Sequence, residues 1–163
     1  MHKFYKIKRD IKTGPVKMKL GDPKEVIRYF TNLILQNPKN ESAYFYRGCA
    51  KSELGDSPGA LIDYSKTIEL NPGAELAYLN RGHEKAVLGD TQGAMSDFTC
   101  TLNINPKLVE AYSNKGIIKY EMKDYQGALT EFSNAIKADA HYAEGYFGRG
   151  VTKLALGDRD AGY

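Results

Sequence analysis

The charged side chains of this 163-residue chain repeat at a fixed step rather than converge on one place. Arg47, Arg81, Lys115 and Arg149 stand 34 residues apart, and an acid follows each of the first three sixteen residues later, at Asp63, Asp97 and Glu131. The third pair exchanges both partners at once, Arg for Lys and Asp for Glu, as a pair that must keep a joint fit would. A helical hairpin can bring such residues together, so the spacing predicts a ladder of partly buried ion pairs that sets the register of a stack. The competing reading is a cationic stripe for acidic ligands. The equal supply of acids favours the ladder.

Other chemistry finds little to build on. Cys49 and Cys100 make no disulfide framework in a chain this long. His2, His83 and His141 are too scattered for a zinc pattern. No glycine-rich phosphate loop is present, and no Ser/His/Asp or Cys/His set has a supporting motif. An enzyme needs a unique site, whereas this sequence repeats one, so no catalytic role, cofactor or metal is expected.

Composition narrows the class further. A chain with 42% hydrophobic and 26% charged residues belongs with soluble globular proteins. No apolar run approaches the ~18–20 residues that cross a bilayer. The opening MHKFYKIKRDIKTGPVKMKL lacks the apolar stretch of ~7–15 residues of a secretory leader, which makes the cytoplasm the expected compartment. The net charge of +3 is uneven, because residues 1–19 hold seven basic side chains and one acid, a net of +6, which leaves −3 for the rest. Lys3, Lys6, Lys8 and Arg9 interleave with Phe4, Tyr5 and Ile7. Such an arm offers an alternative function, a weak and salt-sensitive attachment to an anionic membrane or nucleic acid, although neither is the expected partner.

The elements that must position these residues follow from the same step of 34. Pro38, Pro72 and Pro106 keep it, as do Tyr44, Tyr78, Tyr112 and Tyr146. So do Gly48, Gly82, Gly116 and Gly150, then Asp56, Asp90, Asp124 and Asp158, then Ala60, Ala94 and Ala128. The units are 41–74, 75–108 and 109–142, preceded by a half unit at 20–40 and followed by a partial unit at 143–163. Within the first unit Tyr44, Gly48 and Lys51 share one helical face, which ends at Leu54-Gly55-Asp56. A second helix then opens with Ser57 as its expected cap and Pro58 in its first turn. It carries Ala60, Tyr64, Thr67 and Ile68 inward and stops at Asn71-Pro72. Glycine suits the left-handed position after the first helix at 55, 89 and 157, while Lys123 fills it in the third unit at a strain of ~1 kcal/mol. The glycines inside helices each cost ~1 kcal/mol relative to alanine, which close approach of helices would offset.

This combination resembles the tetratricopeptide repeat (TPR) family. The residues that carry it are Tyr44-x3-Gly48…Gly55-Asp56…Ala60-x3-Tyr64…Pro72, with echoes at Tyr78-x3-Gly82…Ala94-x3-Phe98…Pro106 and Tyr112-x3-Gly116…Ala128-x3-Phe132. The resemblance covers residues 20–163. It implies an all-α right-handed superhelical solenoid of antiparallel helix pairs, with the first helix of each pair lining a concave groove. It implies, too, a protein-interaction scaffold that binds a protein or peptide segment there.

By that resemblance the groove side chains are Phe45, Tyr46 and Cys49 in the first unit and Leu79, Asn80 and His83 in the second. They continue with Ser113, Asn114 and Ile117 in the third and Phe147 and Val151 in the last, with simple packing as the competing role for half of them. Asn80 and Asn114 could hold a peptide backbone through both sides of an amide. Family members that dock acidic chaperone tails use Lys, Arg and Asn at set positions. Here those positions hold Phe45, Cys49, Asn80, Glu110 and Asn114, so only Asn80 agrees and a chaperone-tail clamp is disfavoured.

Both ends depart from the pattern. Leu20-Gly21-Asp22-Pro23 with Val26, Phe30, Leu33, Ile34 and Asn37-Pro38 repeats only the second helix of a unit. Residues 1–19 are then a degenerate cap or a loose arm, with Val16–Leu20 alternating like a strand. The chain stops at Asp160-Ala161-Gly162-Tyr163, just where another second helix should begin. The expectation is that it is a fragment of a longer array or that its exposed edge pairs with something else, with end-to-end self-association through the terminal repeats as a further alternative.

Overall fold

In the computed structural model the described residues are 22–157. Eight helices follow one another: α1 (Pro23–Gln36), α2 (Glu41–Glu53), α3 (Ser57–Leu70), α4 (Glu75–Val87), α5 (Thr91–Ile104), α6 (Val109–Glu121), α7 (Tyr125–Ala138) and α8 (Ala143–Ala155). Among the described residues there is no strand. Starts at 41, 75, 109 and 143, and at 57, 91 and 125, make each pair a copy of the one before. The basic segment 1–19 and its strand-like stretch lie outside the described residues, as does Asp158.

Local chemistry explains where each helix begins. Asp56, Asp90 and Asp124 cap α3, α5 and α7, each accepting the backbone N–H of Gly59, Gly93 or Gly127 at 2.9 Å. The cap of α3 is therefore Asp56 and not Ser57, which is already the first helical residue. The shorter reach of a serine hydroxyl is not needed where a carboxylate can complement the helix dipole as well. The glycine three residues on is part of the device, because a Cβ at Gly59, Gly93 or Gly127 would run into the capping carboxylate.

Each first helix ends in a left-handed residue: Gly55, Gly89 and Gly157 have φ of 79°, 85° and 85°, and Lys123 takes 63°. Second helices end on an extended asparagine or aspartate whose side chain closes a turn. Asn37, Asn71, Asn105 and Asp139 accept the N–H two residues on, at 3.1, 3.0, 3.1 and 2.8 Å. Asp139 thus makes the turn in the last copy, where alanine replaces proline at 140.

Packing within a hairpin rests on one contact repeated three times. Tyr64, Phe98 and Phe132 lie buried against Gly48, Gly82 and Gly116, where a Cβ would fall 2.9, 2.8 and 2.9 Å from a ring carbon. Burying each ring contributes about 1.5–3 kcal/mol and offsets the glycine's low helix propensity. Gly150, the fourth in the series, has no such neighbour: nothing lies within 4 Å of its would-be Cβ. Ala43, Ala60, Ala77, Ala94, Ala111 and Ala128 are buried, small enough to let adjacent helices approach. At the N-terminal end α1 sets Val26 and Phe30 against Ala43 and Ala50.

Candidate binding face and the ion-pair ladder

Charged residues organise the inside of the stack. Arg47 holds Asp63 with both arms of its guanidinium, Nε to Oδ2 at 2.9 Å and Nη2 to Oδ1 at 2.6 Å. Arg81 does the same to Asp97, at 2.8 Å through each nitrogen. Lys115 Nζ lies 3.2 Å from Glu131. A second cation, four residues further on, joins every acid: Lys51 to Asp63 at 2.8 Å, Lys85 to Asp97 at 2.9 Å and Lys119 to Glu131 at 3.2 Å. Sequence reading did not pair these lysines with the acids, although they keep the 34-residue step themselves.

The carboxylates sit deeper than expected. Asp63, Asp97 and Glu131 have side-chain exposures of 0%, 3% and 8%, whereas their cations keep one edge open. Two cations per acid match the demand of a buried carboxylate for several donors. The remaining guanidinium nitrogen reaches the preceding second helix: Arg47 Nη1 donates to Thr31 Oγ1 and Arg81 Nη1 to Ser65 Oγ, both at 3.2 Å. One side chain thereby links a unit to its own second helix and to the unit before. Hydrogen bonds to Asp63 and Asp97, opposed by burial, hold both guanidiniums above their ordinary value. Each also lies 5.5 Å from the ring of Tyr44 or Tyr78. This is an interior arrangement, not a surface stripe.

A different buried acid joins the first two full units. Ser52 Oγ donates to Glu84 Oε1 at 2.5 Å, and His83 Nδ1 lies 3.6 Å from the same oxygen. Burial pushes the Glu84 carboxyl up, but hydrogen bonds from His83, Ser52 and Ser57 and the charge of His83 outweigh it and leave it below the usual carboxylate range.

The expected groove residues divide into two groups. Phe45, Tyr46, Cys49, Asn80, His83, Ile117 and Val151 are half-buried, and Phe147 is 61% exposed. Leu79, Ser113 and Asn114 are buried at 1%, 3% and 4%, which corrects their placement on a free surface. Leu79 packs with Ala94, Phe98, Ala111 and Ile118. Ser113 bonds the phenol of Tyr142, whose burial pushes that hydroxyl up against the pull of this bond. Asn80 Nδ2 lies 3.6 Å from Cys49 Sγ, so part of its amide already serves the neighbouring unit. Tyr46 stacks on Phe30, rings 5.4 Å apart and 22° from parallel, and so belongs partly to the α1 packing.

The face that remains open carries a hollow of about 170 Å³ between the first turns of α2 and α4. Phe45, Tyr46 and Leu76 supply its large apolar lining, and Glu41, Ser42, Thr67 and Glu75 its polar lining. Leu76, which sequence reading did not single out, is 38% exposed there. Acids also stand in the first turns of α6 and α8, at Glu110 and Glu144.

Stacked copies of one hairpin, each set by the same glycine, aromatic and capping contacts, define a helical repeat protein. The fold is of the tetratricopeptide type, and solved structures agree. The crystal structure of MamA superposes with a TM-score of 0.79 at 19% identity, over 90% of each chain. A tetratricopeptide repeat protein from Parabacteroides merdae matches with a TM-score of 0.78 at 20% identity, over 87% of this chain and 57% of that one. The first TPR of Spaghetti (RPAP3), bound to the HSP90 peptide SRMEEVD, gives a TM-score of 0.68 at 18% identity, over 72% of this chain and 93% of that one. No protein-family model matches the sequence, and no curated protein matches it. Among the described residues no helix is long and apolar enough to cross a membrane, and no His/Cys/Asp/Glu group is placed to hold a metal ion.

Proposed function

We propose that this chain is a non-catalytic protein-interaction scaffold that holds a peptide or protein segment on the face built by α2, α4, α6 and α8. The hollow lined by Phe45, Tyr46 and Leu76 together with Glu41 and Glu75 carries this reading. An apolar lining with carboxylates beside it suits a segment whose aliphatic or aromatic side chain is flanked by Lys or Arg. Its acids repeat with the helices and its interior charges are matched within the stack, which supports binding rather than chemistry. Spaghetti (RPAP3) takes an acidic peptide on a similar fold. Here Glu110 and the acidic first turns oppose such a ligand, and the occupant is of the opposite charge.

Panning a random peptide library on the full chain tests this. Enriched peptides should combine an apolar anchor with basic flanks and lose binding to the Leu76→Glu variant. The peptide SRMEEVD should not compete. Enrichment of acidic peptides, or unchanged binding to Leu76→Glu, would overturn the assignment.

A further inference from the structure

We infer that the hollow between α2 and α4 takes the chain's own basic segment, residues 3–9, as a built-in competitor that a partner must displace. This rests on the binding face proposed above and names its first occupant. That face suits an apolar side chain flanked by cations. Lys3-Phe4-Tyr5-Lys6-Ile7-Lys8-Arg9 is such a sequence, with three apolar anchors among four cations. The segment lies outside the described residues, and charge and reach assign its seat.

Glu41, Glu75, Glu110 and Glu144 stand in the first turns of α2, α4, α6 and α8. None of them joins an ion pair with a described residue. The interior acids Asp63, Asp97 and Glu131, by contrast, hold two cations each. The face therefore presents carboxylates without counter-charge, while residues 1–19 carry a net +6 against −3 for the rest of the chain. Segment and face supply each other's missing sign.

Reach selects which basic stretch can sit there. Asp22 caps the start of α1, whereas the hollow lies by the first turns of α2 and α4, level with the end of α1. The chain must run the length of α1, 14 residues or about 21 Å, and then cross a helix width of about 10 Å. Extended, residues 9–22 span up to about 43 Å, which suffices. Val16-Lys17-Met18-Lys19 has similar chemistry, but from Lys19 to Asp22 the chain spans only about 10 Å. Tethering also favours the segment over a second copy of the chain, because it sets an effective concentration of about 1 mM. At a weak intrinsic Kd of about 100 μM the segment is then seated about nine-tenths of the time and lowers a competitor's apparent affinity about tenfold.

A fluorescent peptide of residues 1–19 tests this by anisotropy. It should bind the full chain carrying Phe4→Ser/Tyr5→Ser/Ile7→Ser about tenfold more tightly than the unsubstituted chain. Adding Glu41→Lys/Glu75→Lys to the substituted chain should weaken that binding at least about tenfold, with thermal unfolding unchanged. Peptides panned on the face should show the same gain when the three anchors are removed. If panned peptides lose binding to Leu76→Glu yet bind the chain equally with and without the anchors, the inference falls and the binding face stands. Panned peptides indifferent to Leu76→Glu overturn both. No saturable binding of the 1–19 peptide, or binding unmoved by Glu41→Lys/Glu75→Lys, overturns the inference. So does sedimentation in which removing the anchors turns a dimer into a monomer, which would make the occupant a second copy's segment.

Discussion

Ser52, in the last turn of α2, gives its hydroxyl to the buried carboxylate of Glu84 in α4 across 2.5 Å, tying the first helix of one hairpin to the first helix of the next. The acid is 4% exposed and has no counterpart in the other units, where Ala50, Ile118 and Thr152 occupy the same register. With its carboxyl held below the usual range in the folded state, protonation is easier in the unfolded chain. The stability it contributes is present above the unfolded pKa of about 4.3 and is lost as pH falls through the lower folded value. Urea unfolding across that acid range should show this loss, and Glu84→Gln should flatten it. At neutral pH the same substitution should cost about 1–3 kcal/mol, because a charge-assisted bond becomes an ordinary one.

Arg81→Ala leaves Asp97 buried with Lys85 still 2.9 Å away. The loss should therefore fall short of the about 3–5 kcal/mol expected for a buried charge stripped of its partner. Removing Lys85 as well should reach that range and exceed the sum of the two single losses. A double-mutant cycle by chemical denaturation measures the coupling; strict additivity would mean that water takes over from the missing cation.

Two glycines at one register should respond oppositely to alanine. At Gly82 the new Cβ would lie 2.8 Å from Phe98, and overpacking should destabilise by about 1–3 kcal/mol. At Gly150 the space is open, and the gain in helix propensity should stabilise by about 1 kcal/mol at most. Thermal unfolding of both variants decides the matter.

Lys123 adopts φ of 63° where its counterparts among the described residues, Gly55, Gly89 and Gly157, are glycine. Lys123→Gly should stabilise the protein by about 1 kcal/mol by relieving the Cβ contact of a left-handed residue. Gly89→Ala should lose a similar amount, and the two midpoints should move in opposite directions.

Much of the fold is legible in residue spacing because each unit is built from local contacts. The glycine that turns the chain, the aspartate that begins a helix and the asparagine that ends one act within a few residues, so their step of 34 is also the step of the helices. The pairing of Arg47, Arg81 and Lys115 with acids sixteen residues later is legible for the same reason, since one hairpin contains both partners. The second cation at Lys51, Lys85 and Lys119 carries the same signal, and its pairing is missed only because it resembles ordinary surface lysine.

Exposure is decided elsewhere. Leu79, Ser113 and Asn114 hold the same registers as Phe45, Phe147 and Asn80, yet the former are sealed and the latter reach the surface. What covers Ser113 is Tyr142, 29 residues away in the loop before the next hairpin, and no count along one helix reveals it. Sequence alone determined the hairpin, its period and its internal charge pairing, since these depend on neighbours within one unit. Only the tertiary structure decided which side chains stay open to a partner, because that depends on how each unit is covered by its neighbours.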